Sequence, residues 1–221
     1  MTQDLFAVEQ ADEITPVQTR SYIDSYMGEL ISLFSDFFQQ IKVERDIPTP
    51  PQILTSLGFL NHLHQGRINF LFCPLGLTVV DLNAFFKKYD IHIKFYRSNR
   101  GPNISQEQLT QALYSYRTQE KWLVYNEVHP LSDWSHTNQR LDIGISAEAC
   151  NLPEVVFFLA YQVYRQKTQK IISSKYSPAY IKSSAFGDSV FYVALTDEGE
   201  VRIAILPKDI LSFSPLGEIK I

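Results

Sequence analysis

Residues 67–97 read RINFLFCPLGLTVVDLNAFFKKYDIHIKFYR, and the fold class turns on them. Arg67–Cys73 is an apolar run of strand length, stopped by the turn residues Pro74–Gly76. Thr78, followed three positions later by Asp81, is a capping-box start in which each side chain accepts from a backbone N–H of the other residue. Val79, Leu82, Phe85, Phe86 and Tyr89 then fall on the buried side of a helix. From Ile91 the period changes to two. Ile91, Ile93 and Phe95 face one way and His92, Lys94 and Tyr96 the other, as in a half-buried strand.

The same grammar continues toward the C-terminus. Asn99–Asn103 is a loop, and Ser105 with Gln108 starts a helix carrying Leu109, Ala112, Leu113 and Tyr116. Lys121–Glu127 and Arg140–Ser146 read as strands around the polar loop His129–Gln139. Asn151 caps a further helix, with Pro153 in its first turn and Val155, Val156, Leu159 and Val163 on its buried face. Ser173–Gly187 is a Ser- and Tyr-rich loop. Val190–Leu195 and Val201–Leu206 then flank Asp197 and Gly199, which supply turn chemistry for a terminal hairpin.

Toward the N-terminus, residues 1–14 form a loose acidic leader, and Thr15–Pro16 begins a helix. Ile23, Met27, Leu30, Phe34, Phe37 and Ile41 recur at steps of four and three, widened by Tyr26, Ile31 and Phe38. The helix is predicted to reach about Arg45, before Pro48, Pro50 and Pro51. A second one follows with Ile53, Leu54, Leu57, Leu60 and Leu63.

Together these elements predict an α/β or α+β fold: a mixed β-sheet with packed helices, a long N-terminal amphipathic helix and a C-terminal antiparallel β-hairpin. Residues 15–221 form one domain, helical over 15–65 and sheet-based over 66–221. Strand–helix–strand–helix–strand from Arg67 to Glu127 suggests right-handed crossovers with some parallel pairing.

Composition narrows the function classes. The chain has 221 residues, a net charge of −4 and 13% aromatic residues, enough for a large core without staples. Cys73 and Cys150 make neither a disulfide framework nor a metal knuckle, which points to a reducing, cytoplasmic setting. Apolar runs fall short of the ~20 residues that cross a bilayer. No phosphate-binding glycine loop and no G-x-S-x-G turn occurs.

Three uses remain. The first is a non-catalytic cytoplasmic interaction protein of adaptor, inhibitor or immunity type. It would bind a protein partner or self-associate through Ile23, Met27, Leu30, Phe34 and Phe37, although the width of that stripe favours burial within the chain. The second is a nucleic-acid or polyanion binder. Lys87, Lys88, Lys94, Arg97 and Arg100 cluster near aromatics, and Val155–Gly187 holds Arg165, Lys167, Lys170, Lys175 and Lys182 with Tyr161 and Tyr164 and no acid. The overall acidity opposes it. The third is a thiol hydrolase or transferase built on Cys73 or Cys150 with His129, His136, Asp133 and Asp142. His62 and His64, two apart on a helix, diverge and make no metal site. No cofactor is implied, and the balance leans away from catalysis.

Overall fold

The computed structural model describes residues 16–50, 68–96, 105–126, 145–146, 150–169, 189–195, 199–207 and 216–219. In chain order these form α1 (Pro16–Gln40), β1 (Ile68–Cys73), α2 (Val79–Lys87), β2 (His92–Tyr96), α3 (Gln106–Tyr114) and β3 (Lys121–Asn126). They continue with β4 (Ile145–Ser146), α4 (Leu152–Gln169), β5 (Ser189–Leu195), β6 (Glu200–Pro207) and β7 (Leu216–Ile219). The architecture is α+β, with small sheets that mix antiparallel and parallel pairing. No helix among the described residues is long and apolar enough to cross a membrane. The predicted helix at 53–63, His62, His64 and the loop Ser173–Gly187 lie outside the described residues.

Two sheets replace the single mixed sheet expected from the element order. The first runs β1-β3-β7-β4 and is antiparallel throughout, with Cys73 opposite Lys121. The second runs β2-β6-β5, with β2 parallel to β6 and β5 antiparallel to it. So β1 and β2 are not joined by a crossover within one sheet. The burial patterns give the physical reason. Phe70, Leu71, Phe72 and Cys73 are consecutive and all buried, so β1 is covered on both faces. By contrast, β2 alternates, and its polar set looks outward. Of the strand predicted at Arg140–Ser146, only Ile145–Ser146 is described, as β4.

Between the two sheets' contacts lies α4, which touches β1 of the first, β5 of the second, and α2. Every residue from Leu152 to Tyr161 is buried, as are Val163 and Tyr164. Val155, Val156, Leu159 and Val163 are buried as expected, and the cover extends round the whole helix as far as Tyr161. A helix apolar on every face has no solvent side to offer, and burial is its stable placement.

Phe37 of α1 binds the helices together. Its ring lies 5.4 Å from Phe157, Tyr161 and Tyr164 of α4 and 5.6 Å from Phe85 of α2. Phe34 meets Tyr161 and Trp122, and Phe38 meets Phe72, so α1 also covers the first sheet. Such ring pairs each add about 0.5–1.5 kcal/mol beyond burial.

The first helix ends at Gln40, short of the predicted Arg45, because Lys42 turns left-handed with φ 59°. Val43 N–H donates to Phe38 O at 2.9 Å and Lys42 N–H to Gln39 O at 3.2 Å, the paired bonds of a Schellman stop. The end of α2 repeats it around Asp90, φ 58°, with Ile91 N–H to Phe86 O and Asp90 N–H to Lys87 O. In both, the residue after the left-handed one packs its apolar side chain into the core. A side chain with a Cβ pays a steric cost in that conformation. Lys42→Gly is therefore expected to stabilise the protein by about 0.5–1 kcal/mol, net of glycine's greater freedom when unfolded. Lys42→Ala should leave stability nearly unchanged; urea unfolding of the two variants checks both.

Candidate functional site

Chemistry-bearing side chains concentrate where the end of β1, the segment 115–121 and the start of α4 meet. Asn151 and Glu154 form a capping box: Glu154 N–H donates to Asn151 Oδ1 at 3.1 Å, and Asn151 N–H donates to Glu154 Oε2 at 2.8 Å. Because α4 is covered on all sides, that box is carried inside, and Glu154 is 0% exposed. A bare carboxylate there would be very costly, and Lys121 answers it at 2.9 Å, its own side chain only 8% exposed. Gln119 N–H adds a third donor at 3.0 Å, to Glu154 Oε1.

Thr118 performs the matching task one layer away. Its hydroxyl donates to Pro74 O and accepts from Leu77 N–H at 2.9 Å, while its backbone bonds Gly76 and Leu77. The turn Pro74–Leu77 needs Gly76 at φ 97°, a conformation glycine adopts without strain. Asn151 Nδ2 donates to Arg117 O at 2.8 Å, and Arg117 Nη1 donates to Gly76 O at 2.9 Å. Turn, segment and helix start are thus laced into one unit.

Cys73 and Cys150 both border this unit, fully buried and in no disulfide. Burial first, then the charge of Glu154, then Cys150, pushes the Cys73 thiol well above its ordinary value. A nucleophilic cysteine needs a thiolate and access, and Cys73 has neither. Cys150 lacks access. Both cysteines on which the thiol reading rests are packed in the core, while His129, His136, Asp133 and Asp142 lie outside the described residues. No group of three His, Cys, Asp or Glu among the described residues is placed to hold a metal ion.

Three apolar side chains on the elements around this unit are exposed. Leu75, at the turn's tip, is 55% exposed, Val80 in the first turn of α2 38%, and Tyr114 at the end of α3 59%. Arg117 is exposed beside them. These four were not singled out from the sequence. The available signal was a leucine between Pro74 and Gly76, an apolar residue where a turn normally shows a polar one.

The basic residues scatter. Lys94 is bound to Glu200, which also accepts from Arg202 Nε at 2.9 Å and Tyr96 OH at 2.8 Å, on the outer face of the second sheet. Arg202 stacks over the Tyr96 ring at 5.2 Å. Lys87 and Lys167 occupy the last turns of α2 and α4, and Lys88 donates to Gln40 O at the end of α1. Cations at helix C-termini complement the macrodipole, which accounts for these three without a ligand. Arg165 lies over Tyr161, which is buried, as is Tyr164, so neither ring can stack on a base. Arg97, Arg100, Lys170, Lys175 and Lys182 lie outside the described residues. Leu30, Phe34 and Phe37, expected at a partner interface, are consumed by the chain's own core. The side chains of Ile23 and Met27 lie outside the described ones.

Comparison with known proteins returns no matching family model, no matching curated protein and no matching solved structure. Function has to be read from the site's own chemistry.

Two measurements probe these groups. Lys121→Met leaves Glu154 buried with backbone donors alone, and is expected to cost about 3–5 kcal/mol in urea unfolding. Glu200 is held at about 2, against an ordinary 4.5, first by its bond from Lys94, then by Arg202 and Tyr96. Its contribution is present above pH 4.5 and is lost as pH falls toward 2. The stability gap between the wild type and Glu200→Gln should therefore narrow across that window, and also in high salt, since the cluster faces solvent.

Proposed function

We propose that this chain is a non-catalytic interaction protein of the cytoplasm, of the adaptor, inhibitor or immunity kind, that binds a protein partner or a second copy of itself. The observation that carries this reading is the exposure of Leu75, Val80 and Tyr114, on a turn and two helices that the α2–α3 packing and the Arg117–Gly76 bond bring together. Single exposed apolar residues are ordinary, but several carried on adjoining elements together with an arginine have the make-up of an interface centre. The rigid bonding beneath them supports the same view. Gly76, Arg117, Thr118 and Asn151 hold the display in place, so little ordering cost remains for binding. The chemistry that an enzyme would present is turned inward: both thiols and the Lys121–Glu154 pair are buried. Two thiols outside any disulfide also suit a reducing compartment. A polyanion binder draws less support, because Lys94 is neutralised by Glu200 and both tyrosines on α4 are buried.

The experiment is site-specific photo-cross-linking in the full chain, read with sedimentation velocity at rising concentration. A photoreactive side chain at position 75 is expected to join a defined partner or a second copy, while one at position 107, on the exposed start of α3, does not. Leu75→Asp combined with Tyr114→Asp should abolish both the cross-link and any concentration-dependent association. Equal cross-linking from both positions, or association indifferent to the Asp pair, would overturn the reading.

A further inference from the structure

We infer that this exposed end takes an apolar segment of a partner protein that also carries a carboxylate, with Arg117 as the anion contact; the inference rests on the interaction reading above. Arg117 is positioned for that role by the fold. Its Nη1 donates to Gly76 O at 2.9 Å, which draws the guanidinium across the turn whose tip is Leu75, yet the residue stays exposed. A guanidinium has five N–H donors in one plane, and a carboxylate can take two of them side by side.

The charged residues nearest to it in the chain, Glu120 and Lys121, are already matched. Arg45 pairs with Glu120 at 3.1 Å, and Lys121 with Glu154. Asp81, the acid closest in sequence to the turn, is turned onto Thr78, accepting from both its N–H and its hydroxyl at 2.8 and 2.7 Å. Among the described residues no carboxylate pairs with Arg117, whose bond to Gly76 O sets its charge next to Leu75 in the chain. A single guanidinium flanked by apolar side chains fits a singly charged carboxylate on an apolar segment. A phosphate or nucleic-acid backbone would call for further cations at the same spot.

The test pans a random peptide library displayed on phage against the immobilised full chain, then measures the enriched peptides by titration. The enriched sequences are expected to place Asp or Glu next to Leu, Phe or Trp. Arg117→Gln should weaken binding roughly tenfold or more, the loss of one charge-assisted hydrogen-bonded contact. Replacing the peptide's acid by its amide should cost as much, with no further loss when the two changes are combined. Arg117→Lys, which keeps the charge, should recover part of the affinity, and melting by circular dichroism confirms that each variant is folded. Enriched peptides without an acid, or binding indifferent to Arg117→Gln, would overturn the carboxylate contact while leaving the interaction surface standing. A phosphoserine analogue that binds more tightly than the acidic peptide would overturn it equally. Binding that also ignores Leu75→Asp and Tyr114→Asp, or no enrichment at all, would bring down both.

Discussion

A helix whose first three turns have no solvent-facing side organises this protein. Between Leu152 and Tyr164 the side chains of α4 are apolar around nearly the whole circumference, and each face must find cover. One sheet cannot supply it. The molecule supplies β1 from one sheet, β5 from another, and α1 and α2 with their phenylalanines. The Lys121–Glu154 pair follows from the same constraint. A helix start needs an acid or another acceptor for its free amides, and once that start is buried, the acid must be paired.

Local signals were legible and long-range pairing was not. Thr78 with Asp81 and Ser105 with Gln108 form reciprocal capping boxes in the structure, because such a box depends on residues three apart and on nothing else. The alternation of Ile93 and Phe95 with His92, Lys94 and Tyr96 likewise reports a strand with one wet face. What could not be read was which strands far apart in the chain join. A strand–helix–strand order permits parallel neighbours without requiring them, and β1 instead meets β3 in the antiparallel sense. The stop of α1 was missed because a lysine occupies a position where glycine is the recognisable signal. Four-residue β7 carries too short a pattern to stand out, though it lies between β3 and β4.

The candidate site shows the same division. Cys73, Cys150 and the tyrosines of α4 drew attention for what their side chains can do chemically, yet their depth in the fold decides what they do. Depth is a tertiary property. Leu75 was the reverse case: chemically plain, and notable only because the turn holds it outward. Reactive or basic residue types thus say little here about exposure, and an apolar residue in a turn says more.

The placement of β7 bears on how the chain comes to be folded. It is the last strand in sequence, yet it sits inside the first sheet, so β4 has no neighbour among the described strands until β7 arrives. The second sheet likewise waits, since among the described strands β2 pairs with β6 alone, more than a hundred positions later. During synthesis, therefore, α4 leaves the ribosome before β5 exists to cover it, and an oily helix stays open to water until the late strands close over it. Contacts so distant along the chain make for slow folding and a long exposure to wrong associations. The newborn chain is the form of this protein with most need of a chaperone's shelter.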